Sequence, residues 1–162
     1  MAGTDNESLA AARLDDAARD SLIQQETECV FVFSGRDGWP SGVVMSYIFV
    51  DGTFWLTSVL GRSQVTGARA DPRVTIVISN HGADSRQMIS VRACATVNTD
   101  AATKDWFYPL FARRLSPAAP DQFRALLDSP KRVIFECRPV GAWTSHDSRR
   151  LPGDGRGGPT QA

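Results

Sequence analysis

Six runs rich in Val, Ile, Phe and Thr follow one another from Cys29 onward: CVFVFS, GVVMSYIFV, TFWLTS, RVTIVIS, MISVRACATV and KRVIFECRPV. Most are parted only by short turn chemistry, such as GRDGWPS, Asp51-Gly52 and NHGADS. Connections that short cannot carry the chain back for parallel pairing, which needs a crossover of roughly a dozen residues or more, so neighbouring runs must pair antiparallel. Asp51-Gly52 between YIFV and TFWL is the strongest of these signals, because a type I′ turn needs positive φ at both centres. A sheet built this way keeps two adhesive edges unless it curls and closes. The chain is therefore expected to be mainly β with peripheral helices, its antiparallel strands closed into a barrel.

Three stretches depart from the strand texture. Leu14, Ala18 and Leu22 recur at helical spacing with Arg13, Asp15, Asp16, Arg19 and Asp20 around them, the pattern of an amphipathic helix lying on a sheet surface. Residues 1–26 thus form a leader and helix ahead of a domain spanning 27–147. Inside that domain TKDWFYPLFARRLSPAAPDQFRALLD predicts a helical excursion over 102–128, split by Ser116-Pro117 and Pro120, with Pro109 interrupting the first helix. Beyond it, residues 148–162 lose all apolar periodicity and read as a disordered tail.

Composition excludes several classes. The chain has 162 residues, 42% hydrophobic and 22% charged, with Lys plus Arg equal to Asp plus Glu at 18 each. That describes one ordinary globular domain without a global field to draw it onto nucleic acid or an anionic membrane, so any anion must be caught locally. No apolar run reaches the roughly 18 residues needed to span a bilayer, and the N-terminus lacks a secretory pattern, which makes the cytoplasm the expected location. Cys29, Cys94 and Cys137 sit singly in strand-like runs and read as three buried, reduced thiols, with no metal site. No GxSxG elbow, HExxH or P-loop Lys occurs, so a hydrolase, zinc protease or NTPase finds no support. His81 and His146 read as solvated loop histidines, Trp39, Trp55 and Trp106 as core or interface aromatics. Arg113, Arg114, Arg124, Lys131 and Arg132 read as a solvated helix face.

One polar insert is longer than a turn requires. Between Ser58 and Asp71 the chain runs VLGRSQVTGARA, and its part from Arg62 to Ala70 predicts a short helix after Gly61. A Gly followed by Arg-Ser at a helix start brings backbone N–H groups, a hydroxyl and a guanidinium to one place, a workable cradle for phosphate. Thr57 and Ser58 at the end of the preceding strand add small hydroxyls able to approach a flat heterocycle. On local chemistry alone the same residues also serve as a plain turn before a surface helix.

The longer order resembles a known family. A strand, a DG hairpin, a strand ending in Thr-Ser, Gly-Arg-Ser-Gln, a short helix and Asp-Pro-Arg-Val before a further strand is similar to the flavin-binding split barrels of the pyridoxamine 5′-phosphate oxidase-like superfamily. LTSVLGRSQVTGARADPRVTIVI carries most of the likeness; MISVRACATV and RVIFECRPVGAWTSHD add to it. The resemblance implies a split β-barrel of about six to seven antiparallel strands and a homodimer with FMN, or alternatively a deazaflavin, at the subunit interface. Thr57 and Ser58 would line the ring or ribityl chain, Arg62, Ser63 and Gln64 would surround the phosphate, and the backbone of Val44, Met45 and Ser46 would run beside the ring's polar edge. Gln87 and Trp143 of the partner subunit would approach from the other side. The implied activity is hydride or electron transfer to a small, planar organic substrate, with no side chain assigned as acid or base. Gln64 stands where the family commonly has a Lys, and basic C-terminal residues that would hold a vitamin B6 substrate have no counterpart beyond Arg149 and Arg150. A non-catalytic holder of flavin, haem or another ligand is the alternative on the same fold.

Overall fold

The computed structural model describes residues 10–81 and 86–150. Helix α1 (Asp16–Gln25) leads into β1 (Glu28–Ser34), and a hairpin joins β2 (Pro40–Val50) to β3 (Thr53–Val59). The turn between them has φ of 50° at Asp51 and 75° at Gly52, the left-handed pair that a type I′ hairpin requires. Helix α2 (Ser63–Ala70) precedes β4 (Arg73–Ser79) and β5 (Gln87–Asn98); α3 (Ala101–Leu115) and α4 (Pro120–Leu127) precede β6 (Arg132–Pro139), β7 (Thr144–Asp147) and a 3-10 turn at Ser148–Arg150. The strands hydrogen-bond in the order β4-β1-β2-β3-β6-β5-β7, and β4 also pairs with β5. Six strands therefore close into an antiparallel barrel, with β7 paired to β5 outside the ring. The expected mainly β barrel with peripheral helices is what the chain forms.

The two-residue period of each strand sorts its side chains. Phe31 and Phe33 on β1, Phe54 and Leu56 on β3, Ile76 and Ile78 on β4, and Phe135 on β6 point inward and are buried. α1 does more than lie on the sheet: its Leu22 and Ile23 join this interior cluster, and Tyr47 donates a hydrogen bond from its hydroxyl to the Ile23 carbonyl at 2.8 Å. Asp15 caps the helix by accepting from the Ala18 N–H at 2.8 Å, the preferred chemistry for an N-cap. The same alternation corrects the expectation of three buried thiols. Cys29 and Cys137 are buried, but Cys94 is exposed, because its neighbours Ala93 and Ala95 take the inward positions of β5. Burial pushes the Cys29 thiol up to about 12, so it stays protonated and inert at neutral pH.

A second apolar cluster lies outside the barrel. Ile48 on β2 and Ile134 on β6 face outward and pack against Phe107, Tyr108 and Phe111 of α3 and Leu127 of α4. Asp100 caps α3 through the Thr103 N–H at 2.8 Å. The helix runs through Pro109 without a break, contrary to expectation. A proline removes the hydrogen bond to the carbonyl one turn earlier and crowds that carbonyl, but the buried Phe107, Tyr108, Phe111 and Ala112 hold the turns on either side. The basic residues of this region are also not one solvated face. Arg114 donates to the carbonyls of Gln24 and Glu26 at the end of α1, and Arg132 is the first residue of β6.

α2 sits close on the barrel through Gly67. A Cβ built there would lie 2.5 Å from Phe33 Cδ2 and 2.6 Å from the Ser34 carbonyl oxygen, and a backbone oxygen cannot swing aside. Ala replaces Gly favourably in most helices, yet here overpacking dominates. Gly67→Ala is expected to lower stability by about 1–3 kcal/mol in denaturant unfolding; a gain in stability would show that α2 does not pack as described.

Candidate functional site

The site grows from the outward rows of β2 and β3. Tyr47 pairs with Leu56 across the two strands, so the outward Ser46 and Thr57 come next to each other just beyond that pair, with Val44 and Val59 following. β3 then ends and the chain turns at Gly61, whose φ of 92° is a left-handed conformation open to glycine at little cost. Arg62 is the N-cap of α2 and makes no side-chain cap bond. The first N–H groups of such a helix lack intrahelical acceptors. The turn is latched to the start of β6, because the Leu60 N–H donates to the Lys131 carbonyl at 2.8 Å and Val59 pairs with Arg132.

These elements enclose a cavity of about 380 Å³ on the outside of the barrel. Val44, Met45, Ser46, Thr57, Ser58 and Val59 form its floor, while Phe111, Leu115, Phe123, Leu126 and Leu127 of α3 and α4 form an apolar wall. Arg62, Gln64 and Arg132 complete the lining, in which no acidic residue occurs. Arg62 is exposed, and among the described residues it has no carboxylate partner. The arrangement has a flat floor, an apolar wall and uncompensated positive charge, which suits a planar ligand with an anionic end.

The sequence-predicted residues divide by the strand period. Val44, Met45, Ser46, Thr57, Ser58, Arg62 and Gln64 all line this cavity. Thr57 faces outward, and its hydroxyl donates to the Val133 carbonyl at 2.9 Å, so toward a ligand it offers an acceptor rather than a proton. Ser58 points inward with Phe54 and Leu56. Its hydroxyl accepts from Gln64 Nε2 at 3.1 Å, and both residues are buried. Gln64 thus spends its amide on the protein interior, and Arg62 is the charged side chain of the turn. Ser63 is exposed at the helix start and does not line the cavity. Arg132 and the wall of α3 and α4 were not singled out by sequence, since their place beside β2 and β3 depends on packing between distant segments.

Gln87 and Trp143 lie elsewhere in their own chain. Gln87 Nε2 donates to Asp147 Oδ2 at 3.1 Å. Trp143 packs against Phe49 and Phe54 with ring centroids 6.4 and 6.0 Å away, and the Arg19 guanidinium lies 4.8 Å over its ring. Phe54 stands near the start of β3, the end opposite Thr57. Asp147 is 3% exposed and accepts from Arg149 Nε at 2.8 Å and Nη2 at 2.7 Å, so Ser148–Arg150 is ordered onto β7. Residues 151–162 of the expected tail lie outside the described residues. His81 pairs with Glu26. Among the described residues no group of three metal-ligating side chains occurs, and no helix is long and apolar enough to cross a membrane.

A second cavity of about 500 Å³ lies between β1, β4 and β5, lined by Val32, Phe33, Thr75, Arg92 and Val140 among others. It also carries two strand hydroxyls, Ser34 and Thr75, but no helix start lines it. One of its two cations, Arg73, is already engaged by Asp71 at 2.6 Å.

With barrel, hairpin and cavity in place, comparison with known proteins becomes specific. The structure is a split barrel of six antiparallel strands with one further strand and four helices. A family model described as pyridoxamine 5′-phosphate oxidase matches residues 14–146, and the chain belongs to that family. A conserved hypothetical protein from Mycobacterium tuberculosis has a similar structure, with a TM-score of 0.76 at 20% identity over 94% of each chain. An F420 reductase matches with a TM-score of 0.60 at 19% identity, covering 77% of this chain and 94% of its own. The haem storage protein HutZ of Vibrio cholerae matches with a TM-score of 0.69 at 10% identity, covering 82% and 94%. No curated protein matches the chain.

Two outcomes test the geometry. Ser58→Ala strands the buried Gln64 amide and is expected to cost about 1–3 kcal/mol of stability, whereas adding Gln64→Leu should recover much of it; equal losses in both variants would mean the pair does not interact. The Arg149 guanidinium, against the opposing desolvation, holds the Asp147 carboxyl down to about 2, below its ordinary 3.8. A depressed carboxyl stabilises the fold above its unfolded pKa, and that contribution fades as pH falls from about 4 toward 2. Asp147→Asn should therefore lower the melting temperature at pH 7 and approach the parent protein near pH 2; a pH-independent gap would rule out this ion pair.

Proposed function

We propose that the chain is an FMN-binding oxidoreductase that acts on a small, planar organic substrate in the cavity between β2, β3, α2 and the α3–α4 wall. The observation that carries this reading is Arg62, free of any carboxylate among the described residues and poised at the start of α2 on the rim of that cavity. Arg62 and the first N–H groups of α2 would hold the phosphate, with Thr57 and the backbone of Val44, Met45 and Ser46 beside the ring. Bound flavin would supply the redox chemistry by taking up or releasing hydride, and the protein's part is binding, orientation and exclusion of water. Phe111, Leu115, Phe123 and Leu126 shield one side of the cavity, so a charged acid or base is not required of the wall. No side chain is assigned as proton donor.

The working unit in this reading is a cytoplasmic homodimer. Val44 is 68% exposed and its partner in register on β1, Val30, is 39% exposed, which is unusual for valines in a closed barrel and supports a covering second copy. Gln87 and Trp143 are remote from the cavity of their own chain, so only those of the partner subunit would meet the ligand.

The inward turn of Gln64 favours a second reading. A phosphate turn with a single charged side chain fits a weaker phosphate grip, and with it a deazaflavin such as F420, or a holder of flavin or haem without turnover. The F420 reductase and the haem storage protein among the structural neighbours support keeping both. Titration of the purified protein with FMN and with the deazaflavin, followed by fluorescence, separates them. Arg62→Ala is expected to weaken FMN binding by roughly 1.5–3 kcal/mol, about ten- to a hundredfold, the scale of a hydrogen bond to a charged group. Unchanged affinity would remove Arg62 from the phosphate, and deazaflavin binding alone would keep the site and change the cofactor.

A further inference from the structure

We infer that Arg132, more than sixty residues away in sequence, is the second cation of the anion end of this cavity, so that a ligand's phosphate is gripped from two separate elements by Arg62 and Arg132. The inference rests on the reading of the cavity as the ligand site and goes beyond it in naming a residue and the ionic character of the group it selects. Arg132 lies directly opposite Val59, three residues before Arg62, and both arginines line the same cavity. Its Nε donates to the Leu127 carbonyl at 3.2 Å. That bond leaves both terminal nitrogens of the guanidinium uncommitted and fixes the direction of the stem. No carboxylate lies within ion-pair distance of Arg132 among the described residues, although the chain carries as many acids as bases. Arg132 is only partly exposed, and the buried Tyr108, whose hydroxyl has no partner among the described residues, feels both its charge and, more weakly, the opposing charge of Asp128. A half-buried guanidinium held without a counterion is costly unless an anion arrives. Two such groups from different elements can bracket a phosphate, which carries close to two negative charges at neutral pH. Gln64 turns inward to Ser58, so the turn itself offers one charge and a second must come from another element.

Flavins with and without phosphate provide the test. Arg132→Gln keeps an amide donor for the Leu127 carbonyl and removes the charge; Arg132→Lys returns charge without the fork. Affinities for FMN and for riboflavin are measured by fluorescence at two salt concentrations, with thermal unfolding to verify the fold. The expected result is FMN binding weakened about ten- to a hundredfold in Arg132→Gln, partial recovery in Arg132→Lys, and riboflavin binding unchanged. FMN affinity within twofold of the parent overturns the inference. So does a parallel loss of riboflavin affinity, which would mark Arg132 as a support for the α4 wall. If the parent binds neither flavin, the ligand reading fails and inorganic pyrophosphate takes the place of FMN. Thermal stabilisation of the parent that is lost in both Arg132→Gln and Arg62→Ala then supports the paired site, and an absent or equal response overturns it.

Discussion

Closure of the barrel through β4 and β5 is the constraint on which the rest depends. Once six strands form a ring, each residue faces either the packed interior or the outside, and no strand can slip without turning its whole apolar set outward. Thr57 and Ser58 show the consequence. They are adjacent and chemically alike, yet Thr57 stands on the outer floor of the cavity, and Ser58 is buried in a hydrogen bond with Gln64. The same rule assigns Val44 and Ser46 to the cavity side while the intervening Met45 side chain is buried. The site is thus a by-product of strand parity, completed by a helix start at one end and a helical hairpin along one side.

What the sequence made legible follows from locality. Asp51-Gly52 is a complete instruction for a hairpin, because both residues tolerate the backbone conformation that the turn needs. Gly61 and the polar run after it marked the start of α2 within a residue. The Val- and Phe-rich runs gave the strands, and their short connections gave antiparallel pairing. Seven of the residues expected to meet a ligand line one cavity. Less legible was anything set by tertiary packing. Composition alone does not say that Cys94 faces out, that Pro109 is carried inside α3, or that the Gln64 amide turns toward Ser58. Arg132 looked like part of a basic helical stretch, and only the pairing of Val59 with Arg132 brings it beside the turn that opens α2.

Two cavities compete for the role of ligand site, and size does not decide between them. The larger, between β1, β4 and β5, is mostly apolar and has one arginine bound to Asp71. The smaller joins a strand floor with outward hydroxyl oxygens, an apolar wall and two arginines that have no acidic partner among the described residues. Specific sites combine an apolar body with a few converging polar groups; of these two cavities, the second adds a helix start and a pair of arginines that no carboxylate engages among the described residues. Membership in the pyridoxamine 5′-phosphate oxidase family agrees with a ligand-binding barrel, while the diversity of its structural neighbours leaves the chemistry to be decided by this cavity.

The most direct test of the central claim is to map where FMN binds, by following backbone amide resonances of the isotope-labelled protein during a titration. The account predicts that the largest saturable shifts fall on Val44, Ser46, Thr57 and the first turn of α2, with smaller ones on α4 and Arg132. Shifts confined to Val32, Thr75, Arg92 and Val140 would move the site to the other cavity and contradict the account.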